Sequence, residues 1–96
     1  MYAIEDLLWD DDNVDRIARY NLRPMDVEQV TTSPIEAHLN GGKLIIFGEA
    51  IRGELITVVL ESLGEGVWYT LAARPSTQGE RLKVSVGVRA RKGGAV

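Results

Sequence analysis

The chain has 96 residues, 45% hydrophobic and 26% charged, a length and composition that make one soluble globular domain burying roughly 64% of its unfolded surface and exclude a two-domain enzyme. Without cysteine and with a single histidine, it can have no disulfide framework, thiol nucleophile, thiolate metal site or multi-histidine metal centre, and it shows neither an apolar run near the ~20 residues of a membrane helix nor a basic-then-apolar leader, so the cytoplasm is the expected compartment. The net charge of -3 is unevenly divided: residues 1–40 carry nine acids and three bases (-6), residues 41–96 five acids and eight bases (+3), and from Arg74 onward six bases face one acid.

In chain order, the apolar opening ends in Asp10-Asp11-Asp12, residues suited to a helix start because they accept from orphan amides and complement the helix dipole. Val14, Ile17 and Ala18 form one apolar stripe, so a helix is predicted over about residues 11–20. Asn21 to Pro24 breaks it, since asparagine tolerates left-handed geometry and the residue before proline leaves the α region. Pro24 then opens a second helix ending near Thr31 or Thr32, and the two helices form an α-hairpin.

After the turn at Asn40-Gly41-Gly42, residues 43–51 and 54–61 are rich in Ile, Val and Phe and only Arg52-Gly53 separates them, a hairpin signal. A glycine-rich loop over 63–66 leads to a third strand over 67–74, in which Val67, Tyr69, Leu71 and Ala73 alternate with Trp68, Thr70 and Ala72. The C-terminal stretch reads two ways. Thr77-Gln78-Gly79-Glu80 has capping-box spacing, whereas Leu82, Val84, Val86 and Val88 alternate with Lys83, Ser85, Gly87 and Arg89 as in a strand. The expected architecture is α+β: a two-helix hairpin packed on a three- to four-stranded antiparallel sheet, with helix or strand over 78–91, in one domain spanning 1–92 with a flexible tail over 93–96.

The glycines match neither the dinucleotide-binding nor the P-loop pattern, so dehydrogenase and ATPase readings fall away. His38 stands beside no recognisable nucleophile motif, and a lone histidine in an acidic loop usually caps a turn or stays solvated. The aspartate run lacks the spacing of a calcium loop; no metal site and no cofactor is expected. The bases Lys43, Arg52, Arg74, Arg81, Lys83, Arg89, Arg91 and Lys92 would form a phosphate-holding groove if the sheet gathers several on one side, and Trp68 and Tyr69 would offer a stacking surface for bases. The alternative is a solvated sheet face with two core aromatics.

Two segments together resemble a known family. Trp9-Asp10, Asn13, Ile17 and the residues ahead of Pro24 are similar to the N-terminal W-D-x-x-(K/N)-x-x-x-I-x-x-H pattern of BrnT-type toxins, and Ala72-Ala73-Arg74-Pro75-Ser76 with Glu80-Arg81 resembles that family's T-A-R-x-(A/S)-x-x-x-E-R ending. The resemblance, over about residues 4–82, implies a ribonuclease-like α+β fold similar to RelE-type toxins, a cognate antitoxin partner and metal-free cleavage of RNA. It implies that Arg74 and Arg81 bind phosphate, with Arg52 as a third cation of looser correspondence and Tyr20 at the family's third catalytic position; Lys43, Lys83, Trp68 and Tyr69 are expected in RNA binding from their charge and stacking chemistry. No membrane partner is implied, and a homo-oligomer is left open.

The chain departs from the pattern at four places. Tyr20 replaces the histidine, and phenols, ionising near about 10, are poor bases at neutral pH. Glu54 follows Gly53 where the family has arginine, Ala72 replaces threonine, and Leu82 follows Arg81. The leading expectation is therefore a toxin of a type II pair with weak or restricted endoribonuclease activity, and the alternative a non-catalytic RNA- or protein-binding module of the same fold.

Overall fold

The structure, a computed structural model, describes residues 3–80. The expectations for Arg81, Leu82, Lys83, the rest of 78–91 and the tail over 93–96 lie outside the described residues, as does the domain boundary at 92.

The elements run β1 (Asp6–Leu8), α1 (Asp11–Ala18), α2 (Pro24–Thr32), β2 (Glu36–Asn40), β3 (Lys43–Glu49), β4 (Leu55–Gly64) and β5 (Val67–Pro75). The strands form one five-stranded sheet in the order β1-β5-β4-β3-β2, antiparallel except for β1, which pairs parallel to β5. The α+β class stands, but the expected three- to four-stranded antiparallel sheet is corrected to a five-stranded mixed one. Neither extra strand has a periodic signature. β1 is three residues long, and β2 (EAHLN) is a largely exposed edge strand whose register comes from its two-residue turn onto β3. Gly41 and Gly42, at φ 59° and 80°, supply the left-handed pair that such a hairpin turn requires.

Both helices start where expected. The Asp10 carboxylate accepts from the Asn13 amide at 2.9 Å, while the Asn13 side chain accepts from the Asp10 amide at 2.8 Å. The Asn13 Nδ2 also donates to the Leu8 carbonyl at 2.9 Å, so both ends of the side-chain amide of this fully buried asparagine are hydrogen-bonded. Ala18 and Val14 are less buried than the stripe predicted: Ile17 carries the contact of α1 with the core. Asn21 adopts φ 60° and ends α1.

The core lies between the helices and one sheet face, with α1 against β5 and α2 against β3. Ile17, Val27 and Val30 meet Leu44, Ile46, Ile56, Val58, Leu60, Trp68 and Ala73. Complete burial of such aliphatic side chains stabilises the fold by about 1.5–3 kcal/mol each. The predicted alternation of β5 breaks at one point. Leu60 pairs with Thr70 and Val59 with Ala72, leaving Leu71 as an extra residue, so that Trp68 and Thr70 before the bulge and Ala73 after it share the core face. Arg16 donates to the Leu71 carbonyl at 2.6 Å. The expected loop over 63–66 contracts to a turn at Glu65-Gly66, at φ 54° and 78°.

Candidate functional site

The α1–α2 turn, the β3–β4 turn and the end of β5 meet at one end of the sheet. Asp26, 4% exposed in the first turn of α2, ties two of them together. One carboxylate oxygen accepts from the Arg23 amide at 2.8 Å and the other from the Ile51 amide at 2.9 Å. Across the same gap the Arg52 Nη2 donates to the Asn21 carbonyl at 3.2 Å. The β3–β4 turn closes through the Gly53 amide on the Ala50 carbonyl at 2.8 Å, with Gly53 at φ 91°.

These turns leave two adjoining depressions that share Asn21 and Arg52. One, of about 660 Å³, is also lined by Ala18, Leu22 and Arg23. The other, of about 330 Å³, is lined also by Tyr20 and Glu54. Tyr20 is 47% exposed, and among the described residues no carboxylate pairs with Arg52. A comparable depression at the far end of the sheet is lined by Glu5, Glu65, Leu39 and Trp68 among others and has no cation, so it would repel a phosphate.

Arg74 lies at the same end as Arg52, opposite Thr57 and thus on the sheet face away from the helices. Its guanidinium is engaged: Nη1 lies 2.8 Å from Glu80 Oε1 and Nη2 3.2 Å from Oε2, and Nη1 also reaches the Pro75 carbonyl. Glu80 simultaneously accepts from the Thr77 amide at 2.7 Å, while its own amide donates to the Thr77 hydroxyl. This is the capping box read from the sequence, opening a helix at Gln78. The Arg74 hydrogen bonds, opposed by desolvation and helped by Thr77, bring the Glu80 carboxyl down to about 2, and the same pairing raises Arg74 further above its already high value. Tyr20 is near enough to add to the field at Arg74.

Other candidates are placed apart. Trp68 is 5% exposed within the core and its indole N–H donates to the Ala3 carbonyl at 2.8 Å, so its ring presents no open stacking face. Tyr69 donates to both Asp10 carboxylate oxygens at 2.9 and 3.0 Å. Lys43 opens β3 opposite Glu61, at the other end of the strand from Arg52 and ~20 Å away at the usual strand rise. Of the eight bases expected in a groove, the described residues hold Lys43, Arg52 and Arg74, with Lys43 at the opposite end of the sheet from the other two. His38 sits on the exposed face of edge strand β2 and stacks on Phe47 at 6.1 Å. Asp10 to Asp12 serve the start of α1, and among the described residues no three His, Asp or Glu side chains converge as a metal-ligand set. No helix among the described residues is long and apolar enough to cross a membrane.

Sequence reasoning missed Arg23, whose signal was only its place before Pro24, and passed over Glu54 as a mismatch to a pattern. Glu54 is beside Arg52 along the chain, whereas only the meeting of the two turns brings Arg23 there.

The crystal structure of the Brucella abortus ribonuclease toxin BrnT matches with a TM-score of 0.61 at 20% identity, over 76% of this chain and 97% of that one. The chain has a BrnT-like fold. No family model and no curated protein matches it. The residues that carry the sequence resemblance are now accounted for within this BrnT-like fold by architecture. Asp10 and Asn13 cap α1, Ile17 and Ala73 are core, Ser76 bonds Thr57 at 2.9 Å, and Arg74 holds Glu80.

Proposed function

We propose that the chain is the toxin of a type II toxin–antitoxin pair, a metal-independent endoribonuclease acting in the cytoplasm and masked by a cognate antitoxin protein. The observation that supports this reading most is the likeness of its fold to a ribonuclease toxin over most of both chains. RNA cleavage without a metal needs a base for the ribose 2′-hydroxyl, a cation for the crowded phosphorane and a proton for the departing 5′-oxygen. Arg52, with no carboxylate partner among the described residues, can bind a phosphate by charge and by paired N–H donors, and the half-exposed Tyr20 beside it carries a transferable proton. Arg74 and Arg81 are proposed as further phosphate ligands.

Expression without the product of a neighbouring small gene is expected to arrest growth, and co-expression to restore it. Purified protein is expected to shorten single-stranded RNA in the presence of a chelator. Unaffected growth together with intact RNA would overturn the reading.

One observation favours a second reading, a non-catalytic RNA-binding member of the same fold: the Arg74 charge is already neutralised by Glu80. In that case RNA binds with strong salt dependence but is recovered whole.

A further inference from the structure

Tyr20 from the α1–α2 turn and Arg52 and Glu54 from the β3–β4 connection reach one depression of about 330 Å³. We propose that Glu54 is the general base for RNA cleavage in this depression, with Arg52 holding the scissile phosphate and Tyr20 protonating the leaving oxygen. This rests on the nuclease reading above and moves the chemistry away from the arginine of the A-R-x-S segment to the β3–β4 turn.

Three observations carry the assignment. First, a phenol is a poor base but a competent proton donor to an alkoxide, so Tyr20 can fill the acid role and leaves the base role open. Second, Glu54 is the carboxylate that lines this depression, is exposed and among the described residues has no ion pair, while Glu80 is committed to Arg74 and Thr77 and Asp26 to the Arg23 and Ile51 amides. Third, the turn holds Glu54 in place through its backbone: its carbonyl accepts from the Ala50 amide at 2.9 Å, and Gly53 before it takes φ 91°. A carboxylate beside a phosphate-binding arginine weakens nucleic-acid binding by like-charge repulsion, a cost that has a purpose if the carboxylate takes part in the reaction.

The 2′-O–H bond breaks and its proton passes to the Glu54 carboxylate, the 2′-oxygen forms a bond to phosphorus, and the phosphorus–5′-oxygen bond breaks. The 5′-oxygen takes the phenolic proton of Tyr20. Arg52 donates hydrogen bonds to the non-bridging oxygens, where negative charge builds up in the phosphorane. The products are a 2′,3′-cyclic phosphate and a free 5′-hydroxyl, and exchange with water returns Glu54 and Tyr20 to their starting states.

The experiment compares single-turnover cleavage and equilibrium binding of a short single-stranded RNA by wild type, Glu54→Gln and Tyr20→Phe. Glu54→Gln is expected to cleave about 10²–10³-fold more slowly while binding RNA at least as tightly, because a repelling charge is gone. Tyr20→Phe is expected to lose activity that returns on a substrate with a 5′-thio leaving group, which needs no proton, whereas Glu54→Gln stays slow on that substrate. A bystander acid predicts the opposite sign: unchanged or faster cleavage by Glu54→Gln, which overturns the assignment while leaving the nuclease reading intact. A wild type that cleaves no RNA overturns both, and a product ending in a 2′-hydroxyl with a 3′-phosphate formed directly, without the cyclic species, overturns the assignment alone.

Discussion

Arg74 and Glu80 form a two-point ion pair, with Nη1 2.8 Å from Oε1 and Nη2 3.2 Å from Oε2, that links the last strand to the capping box of the helix after it. Its contribution to stability depends on pH in a defined direction. The Glu80 carboxyl is held at about 2 in the folded chain against an ordinary 4.5. A depressed carboxyl stabilises the fold fully above its unfolded value and loses that stabilisation as pH falls through its folded value. The urea stability of wild type minus that of Glu80→Gln is therefore expected to be about 1–2 kcal/mol at neutral pH, after discounting for solvent screening at the 39% exposed Arg74 side chain. It should shrink steadily between pH 4.5 and about 2. A difference that does not change with pH would show that the pair does not form.

The same pair gives a prediction for binding. Glu80→Gln releases the Arg74 guanidinium, so if Arg74 contacts RNA, affinity rises in this variant and falls in Arg74→Ala. Titrations over a range of salt read this directly, because each phosphate contact on a single strand adds about 0.7 to the slope. Equal slopes in the two variants would restrict Arg74 to holding Glu80.

Asp26 is expected to be the most sensitive polar position among the described residues. Its carboxylate is 4% exposed and accepts from the Arg23 and Ile51 amides. Asp26→Ala leaves two amides without partners and should cost about 2–4 kcal/mol in chemical denaturation. It should also loosen the β3–β4 turn that carries Arg52, visible as faster amide exchange at Ile51 and Gly53.

Gly48 tests the packing of α2 on β3. A Cβ at this position would lie 3.0 and 3.2 Å from the two methyl carbons of Val30, which is itself fully buried. Gly48→Ala should destabilise by about 1–3 kcal/mol through overpacking. Combining it with Val30→Ala should cost less than the sum of the two single changes, and strict additivity would contradict the contact.

Tyr69→Phe probes the Asp10 cap. The Asp10 carboxyl lies below its ordinary 3.8, chiefly through the Asn13 amide and, against some desolvation, also through the Tyr69 hydroxyl. Removing the hydroxyl should raise that carboxyl part of the way back, as followed by carbon-detected NMR titration, with the Asn13 share remaining. No movement of Asp10 would mean that the hydroxyl bond is absent in solution.

Local chemistry made the helices legible. The carboxylates at 10–12, Asn21 with its tolerance of left-handed backbone, and Pro24 with its fixed φ each act over a few residues, so both helix starts and the turn between them follow from the residues alone. Of the three central strands, β3 and β4 followed from their Ile-, Val- and Phe-rich runs and β5 from its alternation. β1 and β2 did not, because a three-residue parallel edge and a polar edge strand are held by hydrogen bonds to β5 and β3 rather than by any preference of their own. The bulge at Leu71 was equally hidden, since it depends on how β4 and β5 pair.

The site divides in the same way. The charge asymmetry and the A-R-x-S segment pointed to Arg74, yet that arginine meets Glu80 across six positions, a pairing that only the capped turn after β5 produces. Arg52 was named from sequence, but Tyr20 and Arg23 are brought to it and to Glu54 through Asp26 bonding the β3–β4 turn to the start of α2. Residues 20 and 54 are too far apart along the chain for any spacing rule to relate them. Elements formed by local propensity were written in the residues; the company each charged side chain keeps was settled by long-range hydrogen bonds and burial.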